Sequence, residues 1–322
     1  MNRRSFLRSS AILAAFAPAG VRAADKKSAP ASAKTEAAPA SWSTTGGKPR
    51  RPNKKGFMLQ TLGGPSKTLT LHQKFQLLKA AGFDGVEVPS ALNQSEVLAA
   101  RDAFGLEIPS VVITTHWAKP LTHPSENERK VGLEGLLQGL RDAKVYGAKS
   151  VLLVPGIVNK DVSYADAYTR SIAEIKKAIP LAEELGVVIA IENVWNAFLM
   201  SPLEAAAYVD GFKSPMIKWH FDVGNVVNTG WPQHWIPVLG DRIAAIHVKE
   251  FSRKLRDEKG PREGFKVELL TGDSDWPAVM AALDATKYSG WLIAEHTYRA
   301  PNIPDAEWLS GIVTNLDRIL AL

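Results

Sequence analysis

Four residues of metal-binding type close four short apolar runs in the second half of the chain. The runs are 187–192 (VVIAIE), 217–222 (IKWHFD), 243–247 (IAAIH) and 291–295 (WLIAE), and they end on Glu192, Asp222, His247 and Glu295. Apolar runs this short, bounded by helical or loop sequence, read as buried strands. An unpaired carboxylate at the end of such a strand is costly, because it loses its hydration without gaining a partner. Three carboxylates and one imidazole in series therefore call for a shared compensator, and one divalent cation would serve. Strand alternation turns Glu192 with Ala190, Asp222 with His220, His247 with Ala245 and Glu295 with Ile293. Taken singly, each acid also fits a helix N-cap or a rim salt bridge, and His247 a hydrogen-bonded core histidine; the common register favours the metal set. Three oxygens and one imidazole suit Mn²⁺ best, with Mg²⁺, Co²⁺ or Zn²⁺ compatible.

The elements that must position these residues alternate regularly. Strands are expected at 56–62, 85–88, 108–114, 150–154 and then at the four runs above. Helices are expected at 70–81, 94–104, 125–146, 164–185, 202–212, 276–286 and 305–322, with a Trp- and Pro-rich segment at 231–239. Gly147 and Gly186 sit where helix C-termini favour glycine, and Pro180 is a candidate kink. Eight β-α units predict a closed (β/α)₈ barrel, a TIM barrel in a single domain, with its chemistry at the C-terminal strand ends. An open doubly wound sheet is the alternative, but its Gly-rich first turn is missing: Leu62-Gly63-Gly64-Pro65 does not match G-x-G-x-x-G.

The first 24 residues read as a twin-arginine export signal, with Arg3-Arg4 ahead of an apolar stretch at 11–21 and a small-residue exit near Ala23 and Ala24. The stretch is shorter than the roughly 20 residues a membrane span needs, so no membrane anchor is expected to persist after cleavage. Residues 25–55, rich in Ala, Ser, Pro and Lys, read as a disordered linker. The barrel is assigned to 56–322, and the protein to the periplasm or the exterior. The chain has no cysteine, which excludes disulfides, thiolate metal sites and cysteine nucleophiles. Its net charge of +6 is misleading. Residues 1–55 hold 12 Lys and Arg against 2 acids, which leaves 27 basic and 31 acidic residues, net −4, from residue 56 onward. A nucleic-acid partner needs a basic surface, and none is expected.

The motifs IEN at 191–193, FDVGN at 221–225, HVKE at 247–250 and AEH at 294–296 resemble those of the sugar phosphate isomerase/epimerase family. This is a D-tagatose 3-epimerase-like family within the xylose isomerase-like TIM-barrel superfamily, which also holds inosose dehydratase and endonuclease IV. The resemblance implies one divalent ion on Glu192, Asp222, His247 and Glu295. It also implies that Glu192 and Glu295 carry out proton transfer from opposite faces of a keto-sugar. Arg253, six residues after His247, matches the spacing of a substrate-binding arginine, and a surface arginine is the other reading.

Lys249 shares the parity of His247. Glu87 and His116 end strands two and three facing the same mouth, and all three are expected to contact substrate, with a rim salt bridge and a capping histidine as the plainer readings of Glu87 and His116. Asn225 stands where these epimerases carry a histidine, and Phe198 where they carry a second glutamate; both departures are expected to change polar contacts to substrate. Trp117 and Trp195, with Trp231, Trp235 and Phe251, would furnish an apolar wall for a sugar ring. The polar insertion 252–275 is expected to act as a lid or an oligomer contact.

These readings favour a metal-dependent isomerase or epimerase of a non-phosphorylated keto-sugar or glycoside, since no phosphate cradle is evident. A lyase or dehydratase using the same enediolate is the near alternative, and a non-catalytic sugar-binding barrel the distant one.

Overall fold

Eight short parallel strands form a closed barrel in sequence order. They are β1 (Lys55–Met58), β2 (Gly85–Pro89), β3 (Ser110–Val112), β4 (Ser150–Leu153), β5 (Val188–Glu192), β6 (Ile217–Asp222), β7 (Ile243–Val248) and β8 (Leu292–Ala294), with β8 paired back to β1. The computed structural model describes residues 51–322. The export signal and nearly all of the linker read from the sequence lie outside the described residues.

Alternation along the strands sorts side chains into two layers. One set (Ile189, Ile191, Phe221, Ile246 and Val248) joins the apolar layer under the helices. The other set turns to the barrel axis and carries Glu192, His220, Asp222 and His247. Register places Glu192 beside His220 and Asp222 beside His247.

Helices α1 (Leu71–Ala81), α2 (Gln94–Phe104), α3 (Glu126–Tyr146), α4 (Tyr164–Leu185), α5 (Pro202–Asp210), α6 (Val223–Val227), α7 (Pro232–Leu239), α8 (Arg253–Lys259), α9 (Trp276–Ala285) and α10 (Asp305–Leu320) enclose the barrel. Their boundaries follow local chemistry. Thr70 and Gln73 form a reciprocal capping box at the start of α1. Gly147 and Gly186 end α3 and α4 in the left-handed conformation that side chains resist. Among the described residues, no helix is long and apolar enough to cross a membrane.

Three expectations are corrected. The first strand ends at Met58, not Leu62, because Leu59–Thr61 turns as a 3-10 helix closed by the Thr61 hydroxyl donating to Met58 O (2.8 Å). The third strand is only Ser110–Val112. The fold also begins before residue 56. Arg51 pairs with Asp284 and donates to Leu320 O (2.7 Å), while Asn53 donates to Gly290 O (2.8 Å). These bonds fasten the entry of β1 to α9, α10 and the approach to β8.

Candidate metal centre

The four strand-end residues converge. Glu192, Asp222, His247 and Glu295 each offer one ligand atom, and these atoms all lie within 4.8 Å of one another. His247 Nδ1 is the hub, at 3.0 Å from Glu192 Oε1, 2.8 Å from Glu295 Oε2 and 3.9 Å from Asp222 Oδ2. Asp222 caps α6: its Oδ1 accepts the Asn225 N–H (2.7 Å), which leaves Oδ2 for the cluster. Gly224 lets this turn press against β7, since a Cβ there would come within 2.8 Å of Lys249 O. Asn193 locks β5 to β6 by donating to Asp222 O (2.7 Å) while accepting from the Asp222 N–H and from Trp219 Nε1 (both 3.0 Å). Lys249 Nζ bridges Asp222 Oδ2 (3.0 Å) and Glu295 Oε1 (2.8 Å) from the cavity side.

The field in this cluster is strong. Burial pushes the Glu192 carboxyl upward and that of Asp222 up to about 8, the latter against the pull of Lys249. At Glu295, burial acts in the same sense but is overcome by Lys249 and His247, which hold it well below the usual carboxylate range. Burial also opposes charge on His247 and Lys249, and the surrounding carboxylates outweigh it, so both pKa values are raised.

Two observations fit a divalent ion here. Asp222 Oδ2 and Glu295 Oε2 are buried and make no hydrogen bond among the described residues, although Lys249 and His247 approach them outside hydrogen-bond geometry. Buried acceptors are seldom left so. The donor set of three carboxylates and one imidazole is also the one a hard or borderline cation takes.

Behind the cluster, His247 Nε2 lies 2.8 Å from Glu87 Oε2, and both side chains are fully buried. Glu87 is therefore corrected from a substrate contact to the partner of a candidate ligand, because it is fully buried against His247 Nε2 and does not line the cavity. His220 completes this layer. Its ring centroid is 4.1 Å from that of His247, its Nε2 is 4.0 Å from Glu87 Oε1, and among the described residues neither of its nitrogens has a hydrogen-bond partner. Burial, with His247 next in effect, keeps the His220 pKa well below that of a free imidazole.

A cavity of about 980 Å³ opens above the centre. Of the four candidate ligands only Glu192 and Glu295 line it, joined by Lys249 and Asn225; Asp222 and His247 lie beneath. His116, Trp117 and Trp195 also line it, as the sequence suggested. His116 accepts the Val154 N–H at Nδ1 (3.2 Å), and burial lowers its pKa to about 4.

One expected contact, Arg253, is not brought to the cavity, and neither is Phe198, whose departure was expected to change polar contacts there. Arg253 donates to Val227 O (3.0 Å) and Gly230 O (2.7 Å) and lies over Trp231, so it ties α8 to the loop after α6. Phe198 is buried among Tyr164, Tyr168 and Tyr208, in the layer between α4 and α5. Its replacement of a glutamate therefore leaves the cavity wall untouched.

Other lining residues had no sequence signal. Arg262, Phe265 and Lys266 come from the 252–275 insertion, where no strand or helix period indicated a direction. Glu250, inside the HVKE motif, anchors that insertion. It accepts the N–H groups of Leu270 (2.9 Å) and Ser274 (3.1 Å) and the Trp276 indole (2.9 Å). Its place directly after Lys249 in the HVKE motif was the available hint.

Known proteins agree with this architecture. Residues 75–315 match the family described as xylose isomerase-like TIM barrel. L-ribulose-5-phosphate 3-epimerase UlaE of Escherichia coli K12 is 26% identical over 198 residues, covering 55% of this chain and 68% of that protein. UlaE of Salmonella paratyphi C is 22% identical over 251 residues, covering 73% and 85%. Among solved structures, the apo form of 3-keto-D-glucoside 4-epimerase YcjR from E. coli superposes with a TM-score of 0.69 at 17% identity, covering 82% of this chain and 99% of that one. These relatives and neighbours are sugar epimerases, enzymes of the isomerase class, and the structural likeness itself speaks for the fold. Since the matched segment takes in most of the barrel, the chain belongs to the xylose isomerase-like TIM-barrel family.

Proposed function

We propose that this protein is a divalent-metal-dependent sugar epimerase or isomerase that moves a proton through an enediolate on a non-phosphorylated keto-sugar. The observation that carries this reading is the split within the candidate centre. Glu192 and Glu295 both line the cavity, 3.0 and 2.8 Å from His247 Nδ1, whereas Asp222 and His247 do not reach it. Asp222 and His247 are suited to holding an ion only, and the two glutamates to holding it and touching substrate.

When bound, a divalent ion, Mn²⁺ by preference, supplies positive charge that stabilises developing oxyanions and acidifies the adjacent C–H. One glutamate removes that proton, and the other returns one to the opposite face or to the neighbouring carbon. Lys249, between Asp222 and Glu295 at the cavity floor, donates to a substrate oxygen. Glu87 accepts from His247 Nε2 and so presents Nδ1 to the ion.

The reading of a non-phosphorylated substrate is supported by the pairing of two basic residues at the rim. Arg299 is taken up by Asp305 and Ile303 O, and Lys266 by Glu263 (2.8 Å). The twin-arginine start supports action outside the cytoplasm, after export of the folded chain.

The test is deuterium exchange from D₂O into a keto-sugar C–H, followed over a panel of free and glycosylated ketoses. Exchange is expected in the metal-loaded protein and lost in Glu192→Gln and in Glu295→Gln. Undiminished exchange in both variants would sink the mechanism. A product lighter by one water would redirect it to dehydration.

A further inference from the structure

The cavity is larger than this reaction requires. At about 980 Å³ it lies at the top of the roughly 300–1,000 Å³ that small-molecule sites span. A single keto-sugar resting on Glu192, Lys249 and Glu295 occupies only its floor. The upper part is walled differently. Trp117, just beyond β3, is 50% exposed, and among the described residues its only ring contact is edge-on to His116 (5.6 Å). Trp195, just beyond β5, is 36% exposed and is held rigid: its Nε1 donates to Asn225 O (3.0 Å), and its ring packs on Phe265 (4.9 Å) and Phe251 (5.6 Å).

The charge of this upper wall is also distinctive. Arg299 and Lys266 are already paired, as described above. Arg262 is exposed, and among the described residues it makes no ion pair or hydrogen bond. One free guanidinium beside two indoles is a poor phosphate cradle, which needs several converging donors. It is a good match for the C–H face of a pyranose, which lies on an aromatic ring while its hydroxyls take hydrogen bonds at the edge.

We propose that the upper chamber is a subsite for a second, uncharged sugar ring. The substrate is then a keto-sugar carrying a glycosidic partner, a disaccharide or related glycoside, rather than a free monosaccharide. The second ring lies on the Trp117 indole, Trp195 and Phe265 form the side wall, and Arg262 donates to ring hydroxyls. The enediolate chemistry stays at Glu192 and Glu295, so this proposal rests on that assignment for its catalytic meaning but not for its binding prediction.

The experiment uses the full chain loaded with Mn²⁺ and three probes: D-fructose and two disaccharides that extend it by one ring, lactulose and palatinose. Affinity is read by titration calorimetry and proton transfer by deuterium exchange. At least one disaccharide is expected to bind ten-fold or more tightly than fructose. Trp117→Ala should bring that ratio close to one, Trp117→Phe should retain most of it, and Arg262→Ala should lower it several-fold. Equal affinities, no binding by either disaccharide, or a ratio unmoved in both alanine variants would overturn the subsite. Failure of exchange in every sugar, with the binding ratio intact, would instead overturn the proton-transfer reading and leave the subsite standing.

Discussion

His247 and Glu87 are joined 2.8 Å apart in a fully buried pair on the side of the imidazole away from the cavity. A histidine whose Nε2–H is fixed by a carboxylate presents Nδ1 in one tautomer and one orientation, and its basicity toward a cation rises. Glu87→Gln retains an acceptor but loses the charge. It should weaken Mn²⁺ binding by roughly 10- to 100-fold, measured by titration calorimetry, with the circular dichroism spectrum preserved. A dissociation constant unchanged from the parent would remove Glu87 from the centre.

Gly224 makes a sharper test of the scaffold. An alanine Cβ at this position would lie 2.7 Å from Lys249 Cγ and 2.8 Å from Lys249 O, so backbone must move. Gly224→Ala should cost roughly 1–3 kcal/mol in urea denaturation, as overpacking does, and should weaken metal binding because Asp222 and Lys249 flank the clash. A variant as stable as the parent would mean that α6 can slide away from β7 at no cost.

Glu250 offers a prediction for the insertion. Truncation to alanine strands the Leu270 and Ser274 N–H groups and the Trp276 indole N–H. The loss should be roughly 3 kcal/mol, with proteolysis rising selectively within residues 252–275. Cleavage spread evenly along the chain would argue against a local anchor.

Acid sensitivity follows from His116. Burial holds its pKa at about 4, against 6.5 for an unperturbed imidazole. Between those values the unfolded chain binds a proton that the folded one refuses, so stability falls as pH drops through this window. The loss between about pH 7 and pH 5 is roughly 2 kcal/mol. His116→Asn should flatten that part of the profile in urea titrations at the two pH values. An unaltered slope would assign the acid sensitivity to other groups.

The barrel was legible because its signal is repeated: eight apolar runs, each followed by a helical period, leave few other architectures. The four candidate ligands were legible for the same reason, since strand parity and a shared C-terminal position determine where they point. What parity could not supply was depth. Glu87 and His116 both follow inward-facing strand positions, yet one lies behind the His247 ring and the other on the cavity wall. Spacing from His247 points Arg253 to the substrate, and the loop holding Arg262 has no period to indicate a direction. Phe198 shows a further limit. Its spacing from Glu192 suggested the cavity, but the loop from Asn193 to Met200 passes through left-handed conformations at Ala197 and Leu199 and delivers the ring to the helical layer.

The clasp between Arg51 and the Asp284 and Leu320 positions joins residues more than 200 apart in sequence. Contacts of such separation form late, because the loop they close must be ordered first. Pairing of β8 with β1 is equally remote, and β8 leads directly to Glu295. During synthesis, Glu192, Asp222 and His247 emerge well before the segment that completes their cluster. Tight ion binding should therefore arise only at the final closure of the ring, and capture of the ion would act as a latch on a folding reaction that cannot finish until the whole chain is available.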